Sequence, residues 1–213
     1  MTGNARHLVV LGAAGRTGRL IVGEALRAGC TVTAVIRDPQ RADQFQVPGV
    51  TLHIGDSRDP SSWVAALRPD RVVVSAVGHK GRRSNGLYGD TARAVIAAQS
   101  ESGAGRFVGI TSCGVRLDDP GHRWWYRHLL APLGRSTYAD MSDMERLIAA
   151  SDLEWTFVRP GRLDERQSQG AYRIGDGAIP PGGIGISRSA LAQFVVQCAT
   201  SEEWIRRYPT ITR

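Results

Sequence analysis

The sequence has little lysine, little cysteine and no long apolar run. Lys80 is the only lysine among 27 basic residues, so arginine carries almost all of the formal net charge of +7. The three cysteines stand far apart and form no C-x-x-C pair, which leaves no zinc motif and no disulfide framework. No run of about 18 apolar residues occurs, so no membrane-spanning segment is expected.

The composition also bears on the cellular location of the protein and on the partners that it can bind. Residues 1–6 lack the apolar core of a secretory signal, which together with the few cysteines favours a cytoplasmic location. The arginines form no basic strip interleaved with aromatic residues, so no nucleic-acid partner is expected, whereas an anionic cofactor suits the charge. His122 and His128 lack metal-ligand spacing, so no metal is expected. The length and the ordinary 42% hydrophobic content suit a single domain, residues 1–213.

The segment from His7 to Gly18 reads H-L-V-V-L-G-A-A-G-R-T-G, an apolar run followed by a glycine turn and a helical pattern. Such a turn directs backbone N–H groups and the positive end of a helix dipole at an anion. Gly12 permits the tight turn, Gly15 permits close approach to a pyrophosphate, and Gly18 permits close packing of helix on strand. The segment therefore predicts a dinucleotide site.

Strand-like and helix-like segments alternate along the chain. The predicted strands are His7–Leu11, Thr31–Ile36, Val50–Ile54, Val72–Val77, Phe107–Thr111 and Trp155–Val158. The predicted helices are Arg19–Ala28, Ser61–Leu67, Leu87–Ser102, Met141–Ala150 and Ser189–Ala199, the last with Ser187 as its N-cap. This alternation indicates βαβ units and hence an α/β fold, a Rossmann-like doubly wound parallel sheet. After Pro160 the pattern loosens, and residues 160–213 are expected to form a small substrate lobe over the carboxyl edge of the sheet.

The residues after the second strand address the choice between NAD and NADP. The stretch I-R-D-P-Q-R places Arg37, Asp38 and Arg41 about 20 positions beyond the glycines. A guanidinium fork binds a 2′-phosphate bidentately, so Arg37 and Arg41 favour NADP(H). Arg16, in the glycine turn, can reach the same phosphate or stack on the adenine. The alternative makes Asp38 the ribose ligand and NAD the cofactor, although Asp38 before Pro39 is also a good turn former.

Other strand ends complete the predicted cofactor site. Asp56 follows the third strand and can accept a hydrogen bond from the adenine amino group, or it caps the next turn. The small residues 76–78 let the ribose lie against backbone, or they are ordinary strand-end packing. The cofactor contacts expected from these segments are Gly12, Ala14, Gly15, Arg16, Thr17, Gly18, Arg37, Arg41, Asp56, Ser57, Ala76, Val77 and Gly78.

Several motifs together resemble a known family over essentially the whole chain. They are G-A-A-G-R-T-G at 12–18, V-I-R-D-P-Q-R at 35–41, I-G-D at 54–56, T-S at 111–112, S-D-L-E-W-T-F-V-R-P-G at 151–161 and G-A-Y at 170–172. The chain resembles the atypical short-chain dehydrogenase/reductase family of NmrA-like, NAD(P)H-binding proteins, and within it the flavin reductase (biliverdin reductase B) group. The resemblance implies an NADPH-dependent reductase that passes hydride to a flat conjugated acceptor such as a flavin, tetrapyrrole or quinone.

The resemblance also implies roles for residues of the substrate half. Thr111 and Pro160 would lie by the cofactor, and Ser112, beside the nicotinamide, would face substrate as the candidate catalytic residue. The alternative for Ser112 is a hydrogen bond to nearby backbone. Substrate contacts are expected from Cys113, Trp124 and Tyr138, with plain packing as the alternative for each. Residues 116–135, a long irregular connection, are expected to act as a lid.

One feature of typical short-chain dehydrogenases is missing. They use Y-x-x-x-K, in which lysine lowers the pKa of tyrosine for proton transfer. Here the stretch from Tyr138 to Ser142 has no lysine, Met141 holds the position where relatives often have one, and Lys80 lies in a loop after the fourth strand. Reduction of an isolated ketone needs a strong proton donor, whereas a flavin or quinone spreads the charge, so that water can supply the proton.

The missing pair therefore favours a conjugated acceptor, an aromatic biosynthetic intermediate included. It also leaves room for a second hypothesis, an NADP-sensing regulatory or scaffold protein that acts through a partner protein. A sugar epimerase or dehydratase is a third, weaker hypothesis, because those reactions depend on the absent tyrosine–lysine chemistry.

Overall fold

The computed structural model describes residues 6–81, 83–122, 134–165 and 172–213. The strands in these residues are β1 His7–Leu11, β2 Thr31–Ile36, β3 Val50–Ile54, β4 Arg71–Ser75, β5 Arg106–Ile110, β6 Glu154–Pro160, β7 Arg162–Asp164, β8 Arg173–Asp176, β9 Gly185–Ser187 and β10 Pro209–Thr212. The α-helices are α1 Arg16–Arg27, α2 Leu87–Ser102, α3 Arg135–Ala149 and α4 Arg188–Thr200. A membrane-crossing helix is not found among the described residues.

Eight of the described strands form one sheet, in the order β3-β2-β1-β4-β5-β6-β10-β8. β10 and β8 pair antiparallel, and the other neighbouring strands run parallel. This confirms the predicted α/β Rossmann fold with a mostly parallel sheet. β1 lies between β2 and β4, so the strand order reverses there and a crevice opens outside the carboxyl ends of the strands.

Helices cover both faces of the sheet. Leu8 and Val10 of β1 pack into one core with α1 and α4, whereas Val9 and Leu11 pack into a second core with α2 and α3. All four side chains are fully buried. Burial on both faces explains why the strand reads as a continuous apolar run, and it fixes the end of β1 beneath the glycine turn.

The elements around the predicted site have the expected order, with some shifted ends. The predicted bounds of β1, β2, β3 and α2 are confirmed. α1 begins at Arg16 rather than Arg19, because Gly15 is extended and directly precedes the helix. α3 begins at Arg135 rather than Met141, and β4 ends at Ser75 rather than Val77. The predicted end of β4 is too late because the apolar pattern continues beyond Ser75, the last residue that pairs with β1.

The prediction of a helix over Ser61–Leu67 is wrong. The structure has two separate 3-10 turns there, Pro60–Ser62 and Val64–Ala66. Trp63 lies between them with φ −148°, outside the helical region, and its side chain is completely buried. Burial of the indole therefore overrides the helical pattern.

The chain after Pro160 contributes strands that the sequence analysis did not predict. β10 pairs with β6, β8 pairs with β10, and β7 and β9 form a two-stranded sheet. The predicted N-cap of α4 is confirmed, since the Ser187 hydroxyl accepts a hydrogen bond from the backbone N–H of Ala190. α4 packs beside α1, so its first residues come close to the glycine turn.

Candidate functional site

A cleft of about 1130 Å³ lies at the carboxyl edge of the sheet, where the strand order reverses. The predicted cofactor residues that line it are Gly12, Ala14, Gly15, Arg16, Thr17, Arg37, Arg41, Asp56, Ser57, Ala76, Val77, Gly78 and Thr111. Two other predicted contacts are not part of this lining, since Gly18 packs from within α1 against the turn that follows β1, and Pro160 ends β6. Cleft-lining residues that the sequence did not single out include Arg19, Gln44, Arg58, His79, Tyr88 and Arg188.

The glycine turn has the geometry that its spacing predicts. Gly12 has φ +77°, a left-handed conformation that favours glycine, and its carbonyl oxygen accepts a hydrogen bond from the Gly15 N–H at 3.0 Å. A Cβ on Gly18 would clash with the Gly12 carbonyl oxygen and lie 2.8 Å from that of Ala13. Gly18 therefore allows α1 to pack directly on the turn that follows β1, next to the strand end where close packing is predicted.

The first turn of α1 opens into the cleft. Gly15, the residue before the helix, offers no side-chain cap, and the first turn contains no acidic residue. The first N–H groups of a helix have no intrahelical acceptor, and they carry the positive end of the helix dipole. This end of the cleft can therefore hold an anion.

Two arginines lie at the end of the cleft beyond β2. The Arg37 guanidinium is mostly exposed and lies 4.0 Å from a carboxylate oxygen of Asp56. Arg41 donates to the Ala14 carbonyl oxygen at 3.1 Å and lies 3.6 Å from Asp38. Asp38 caps the 3-10 turn Pro39–Phe45 by accepting from the Gln40 N–H at 3.0 Å. Asp38 is thus the turn former that the sequence favours, and the arginines present the positive charge.

Asp56 is an ionised carboxylate held by a neighbour. Arg58 donates to its two oxygens at 3.0 and 2.8 Å. Hydrogen bonds from the Arg58 side chain are the main reason that the pKa of Asp56 falls to about 2, and Arg37 adds a smaller attraction. The side chain both caps the local turn, by accepting from the Arg58 N–H, and lines the cleft.

A buried charged network lies directly behind the cleft. Thr111 donates to Glu145 Oε1 at 2.7 Å, and Arg159 donates to both Glu145 oxygens at 2.9 and 2.6 Å. The Arg159 guanidinium carbon also lies 4.2 Å from the ring centroid of Tyr208. Because the Thr111 proton is committed to Glu145, the lone pairs of its oxygen are left to accept hydrogen bonds from a ligand in the cleft.

This network is not among the features predicted from the sequence, although the sequence contains a signal for it. Glu145 shares a helix face with the buried residues Met141, Met144 and Ile148, where a lone acid needs a partner. Arg159 stands likewise in a strand whose neighbours are buried. Two oppositely charged residues in apolar patterns predict a buried ion pair. They do not predict that this pair positions the hydroxyl of Thr111.

A second cluster that the sequence did not predict joins the glycine turn to α4. Glu165 Oε1 lies 3.0 Å from Arg16 Nη1 and 2.8 Å from Arg188 Nε. Arg188 Nη1 also donates to the Thr17 hydroxyl at 3.4 Å. The three charged side chains therefore meet at the first turn of α1.

Several uncharged side chains also line the cleft. Met141, at the position where relatives often have lysine, is buried and lines the cleft, whereas Ser142 is exposed. The His79 ring packs edge-on against Tyr88, and its Nε2 lies 3.3 Å from the Thr137 hydroxyl. Lys80 lines the cleft too, but from the loop after β4 rather than from α3.

Ser112 and Cys113 follow β5, next to Thr111. The Ser112 hydroxyl accepts from the Gly114 N–H at 3.1 Å and caps the 3-10 turn Cys113–Val115, as the backbone alternative predicts. Burial raises the pKa of Cys113 to about 11, so its thiol is protonated at neutral pH. The roles of Ser112 in catalysis and of Cys113 in substrate binding stay predictions.

The other predicted substrate contacts lie farther along the chain. Tyr138 is half-buried, and its ring lies against Gly114 and Gly134, where an added Cβ would come within 2.5 and 2.8 Å of ring atoms. Its contact with substrate stays a prediction. Trp124 and the aromatic residues after it, which carry the lid hypothesis, lie outside the described residues.

The reversal of strand order, the glycine turn and the arginine-lined cleft define a dinucleotide-binding Rossmann domain. A model of the NAD(P)H-binding family matches residues 12–202. The chain belongs to this family, a group of atypical short-chain dehydrogenases/reductases.

Curated relatives and solved structures agree with this assignment. The chain is 25% identical to phenylcoumaran benzylic ether reductase Pyrc5 of Pyrus communis over 160 residues, 71% of this chain and 47% of that one. It is 27% identical to the NAD(P)H azoreductase of Xenophilus azovorans over 158 residues, 72% of this chain and 47% of that one. The chain therefore spans about half the length of these curated relatives.

Two solved structures show the same fold at low identity. A short-chain dehydrogenase/reductase from Veillonella parvula DSM 2008, in complex with NADP, has a TM-score of 0.81 and 17% identity, covering 99% of this chain and 95% of that one. ChuY, an anaerobillin reductase from Escherichia coli O157:H7, has a TM-score of 0.75 and 22% identity, covering 97% and 96%.

Proposed function

We propose that the protein is an NADPH-dependent reductase that transfers hydride to a flat conjugated acceptor, such as a flavin, a quinone or an aromatic biosynthetic intermediate. The observation that carries the proposal is one cleft with arginines at one end and the apolar side chain of Met141, without a tyrosine–lysine pair, at the other. The first end suits a phosphorylated dinucleotide. The second suits an acceptor that needs no strong proton donor.

The preference for NADPH rests on Arg37 and Arg41. Their guanidinium groups flank the end of β2, where the adenine ribose of a dinucleotide lies in this fold. Asp38, the competing ribose ligand, is engaged with the Gln40 N–H. A 2′-phosphate carries close to two negative charges and pairs well with forked cationic donors. The structural neighbour from Veillonella parvula binds NADP, which supports the same choice.

The acceptor class rests on what faces the nicotinamide end. Met141 supplies a soft apolar surface, and Thr111 supplies an oriented acceptor for a carboxamide N–H. A conjugated acceptor spreads the electron pair that arrives with the hydride, and water then provides the proton. The proteins named as azoreductase, benzylic ether reductase and anaerobillin reductase are reductases, which supports a reductase here. Its assignment to the flavin reductase, or biliverdin reductase B, type is part of the proposal and rests on the sequence motifs.

A second candidate, an NADP-sensing regulatory protein, is favoured by the state of the residues next to Thr111. The Ser112 hydroxyl is engaged with the Gly114 N–H, and the Cys113 thiol is protonated at neutral pH. Neither group is poised as an acid or base. Such a protein would bind NADPH and present a changed surface to a partner protein without turnover.

Turnover separates the two candidates. The protein is incubated with NADPH and a panel of flavins and naphthoquinones, and absorbance at the nicotinamide band is followed. We expect oxidation of NADPH with at least one acceptor, and a faster reaction with NADPH than with NADH. Tight NADPH binding without oxidation by any acceptor would favour the sensor. Arg146→Ala, a change on the exposed side of α3, serves as the control for general loss of activity.

A further inference from the structure

Arg16, Glu165 and Arg188 form a cluster of charged side chains. Of these three residues, only Arg16 is among the cofactor contacts predicted from the sequence. Arg188 is the first residue of α4, and its side chain is only 13% exposed. Its Nε donates to Glu165 Oε1 at 2.8 Å, while Arg16 Nη1 donates to the same oxygen at 3.0 Å. One carboxylate oxygen thus accepts from two guanidinium groups.

The position of the cluster points to the phosphates of a dinucleotide. Arg188 Nη1 reaches the hydroxyl of Thr17, which lies in the first turn of α1, and all of Arg16, Thr17 and Arg188 line the cleft. That turn offers uncapped N–H groups to an anion. In this fold the pyrophosphate lies at the start of the first helix.

The charges are better matched to a pyrophosphate than to a carboxylate. Two guanidinium groups face one Glu165 carboxylate, which leaves one positive charge uncompensated. The pyrophosphate of a dinucleotide carries two negative charges and several acceptor oxygens, which suit the forked donors of arginine. Glu165 is also the partner that is free to move away, since 63% of its side chain is exposed while Arg188 is nearly buried.

We propose that Arg188, together with Arg16, binds the pyrophosphate of the cofactor, and that the Glu165 carboxylate holds this position in the free protein until the cofactor displaces it. Glu165 is therefore an internal competitor that lowers the affinity for dinucleotides. The proposal rests on the proposed function only in requiring that the cleft binds a dinucleotide. It does not require turnover.

Direct binding measured by titration calorimetry at constant ionic strength tests both halves. The ligands are NADPH, NADH and adenosine 2′-monophosphate, which has a 2′-phosphate but no pyrophosphate. We expect Arg188→Gln to weaken NADPH and NADH alike by at least about tenfold and to leave adenosine 2′-monophosphate unchanged. We expect Glu165→Gln to tighten both dinucleotides about two- to fivefold, since exposed ion pairs are weak competitors.

Matched controls and the nucleotide without pyrophosphate keep the test decisive. Glu203→Gln and Arg146→Gln change exposed charges elsewhere and should alter no affinity. Unchanged binding of adenosine 2′-monophosphate shows that the cleft of each variant is folded, and Arg188→Lys provides a milder change if Arg188→Gln is unstable.

Arg188 would not be a pyrophosphate ligand if its loss affected NADPH alone or neither dinucleotide. The competition would be ruled out if Glu165→Gln left both affinities unchanged or weaker. Absence of turnover in the separate acceptor assay would count against the reductase and not against this site.

Discussion

The two halves of the cleft use their polar groups differently. At the nucleotide end, the first turn of α1 and the exposed Arg37 offer donors and charge toward the cleft. At the end near Thr111, where the proposed acceptor would bind, Ser112 caps its own turn and the Glu145 carboxylate is engaged by Thr111 and Arg159. The nucleotide end thus presents more cationic groups to a ligand than the end near Thr111 does. Under the proposed function, the first end would therefore recognise its ligand by charge and the second by shape.

The largest expected effect comes from breaking the buried ion pair between Glu145 and Arg159. In Glu145→Leu, Arg159 loses its anionic partner in the interior and Thr111 loses its acceptor, so we expect the free energy of unfolding to fall by about 3–5 kcal/mol. Urea unfolding measures the loss. Glu101→Leu, at an exposed position of α2, is the control and should change stability little. The double variant Glu145→Leu/Arg159→Met should recover much of the loss, and no recovery would contradict a cost that comes from the unpaired charge.

The exposed arginine at the nucleotide end should affect binding rather than stability. Arg37→Ala is expected to weaken NADPH by about 1.5–3 kcal/mol, the worth of hydrogen bonds to charged groups, and to leave NADH nearly unchanged. Paired titrations with the two cofactors measure the difference. Equal losses for both would mean that Arg37 does not recognise the 2′-phosphate.

The glycine turn can be tested within one helix. Gly18→Ala places a methyl group against the carbonyl oxygens of Gly12 and Ala13, so we expect a stability loss of about 1–3 kcal/mol and weaker dinucleotide binding. Gly23→Ala is the matched control, because its nearest neighbour would be the flexible end of Arg27 at 3.7 Å. That control should gain about 0.5–1 kcal/mol. Similar effects at the two positions would contradict the close packing of α1 on β1.

The smallest expected effect is the pH dependence due to Asp56. Its pKa is about 2 in the folded protein, below the ordinary value of 3.8, so its contribution is present above about pH 4 and is lost as the pH falls toward 2. The carboxylate is partly exposed, so the contribution should stay below about 1 kcal/mol. Asp56→Asn should flatten the acid limb of the stability curve slightly, measured by unfolding at several pH values. A steeper limb in the variant would contradict the favourable pairing with Arg58.

Local patterns predicted much of the fold and the nucleotide end. The bounds of β1–β3 and α2 follow from apolar runs between turn signals, and Ser187 is a cap in a local pattern. Gly12 and Gly18 were predictable for the same reason, since the positive φ of Gly12 and the contacts of Gly18 with Gly12 and Ala13 lie within one strand–turn–helix unit. Chemistry that is carried by consecutive residues can be read from the sequence.

Long-range pairings could not be predicted in this way. Glu165 meets Arg16 across 149 positions, and Arg188 meets Thr17 across 171. Trp63 breaks a helical pattern because the core accepts its side chain. Nothing in the immediate neighbours of these residues indicates the partner, because the sheet order decides which strand ends and helix starts meet.

The insertion of β10 between β6 and β8 has a consequence for how the chain folds. β8, at 173–176, is hydrogen-bonded to β10, at 209–212, and reaches the main sheet through it. β8 is synthesised before β10, so β8 cannot join the main sheet until more than 30 further residues have been added to the chain. The parallel core from β1 to β6 is complete by then, and it can serve as the surface on which the last two strands assemble in reverse order.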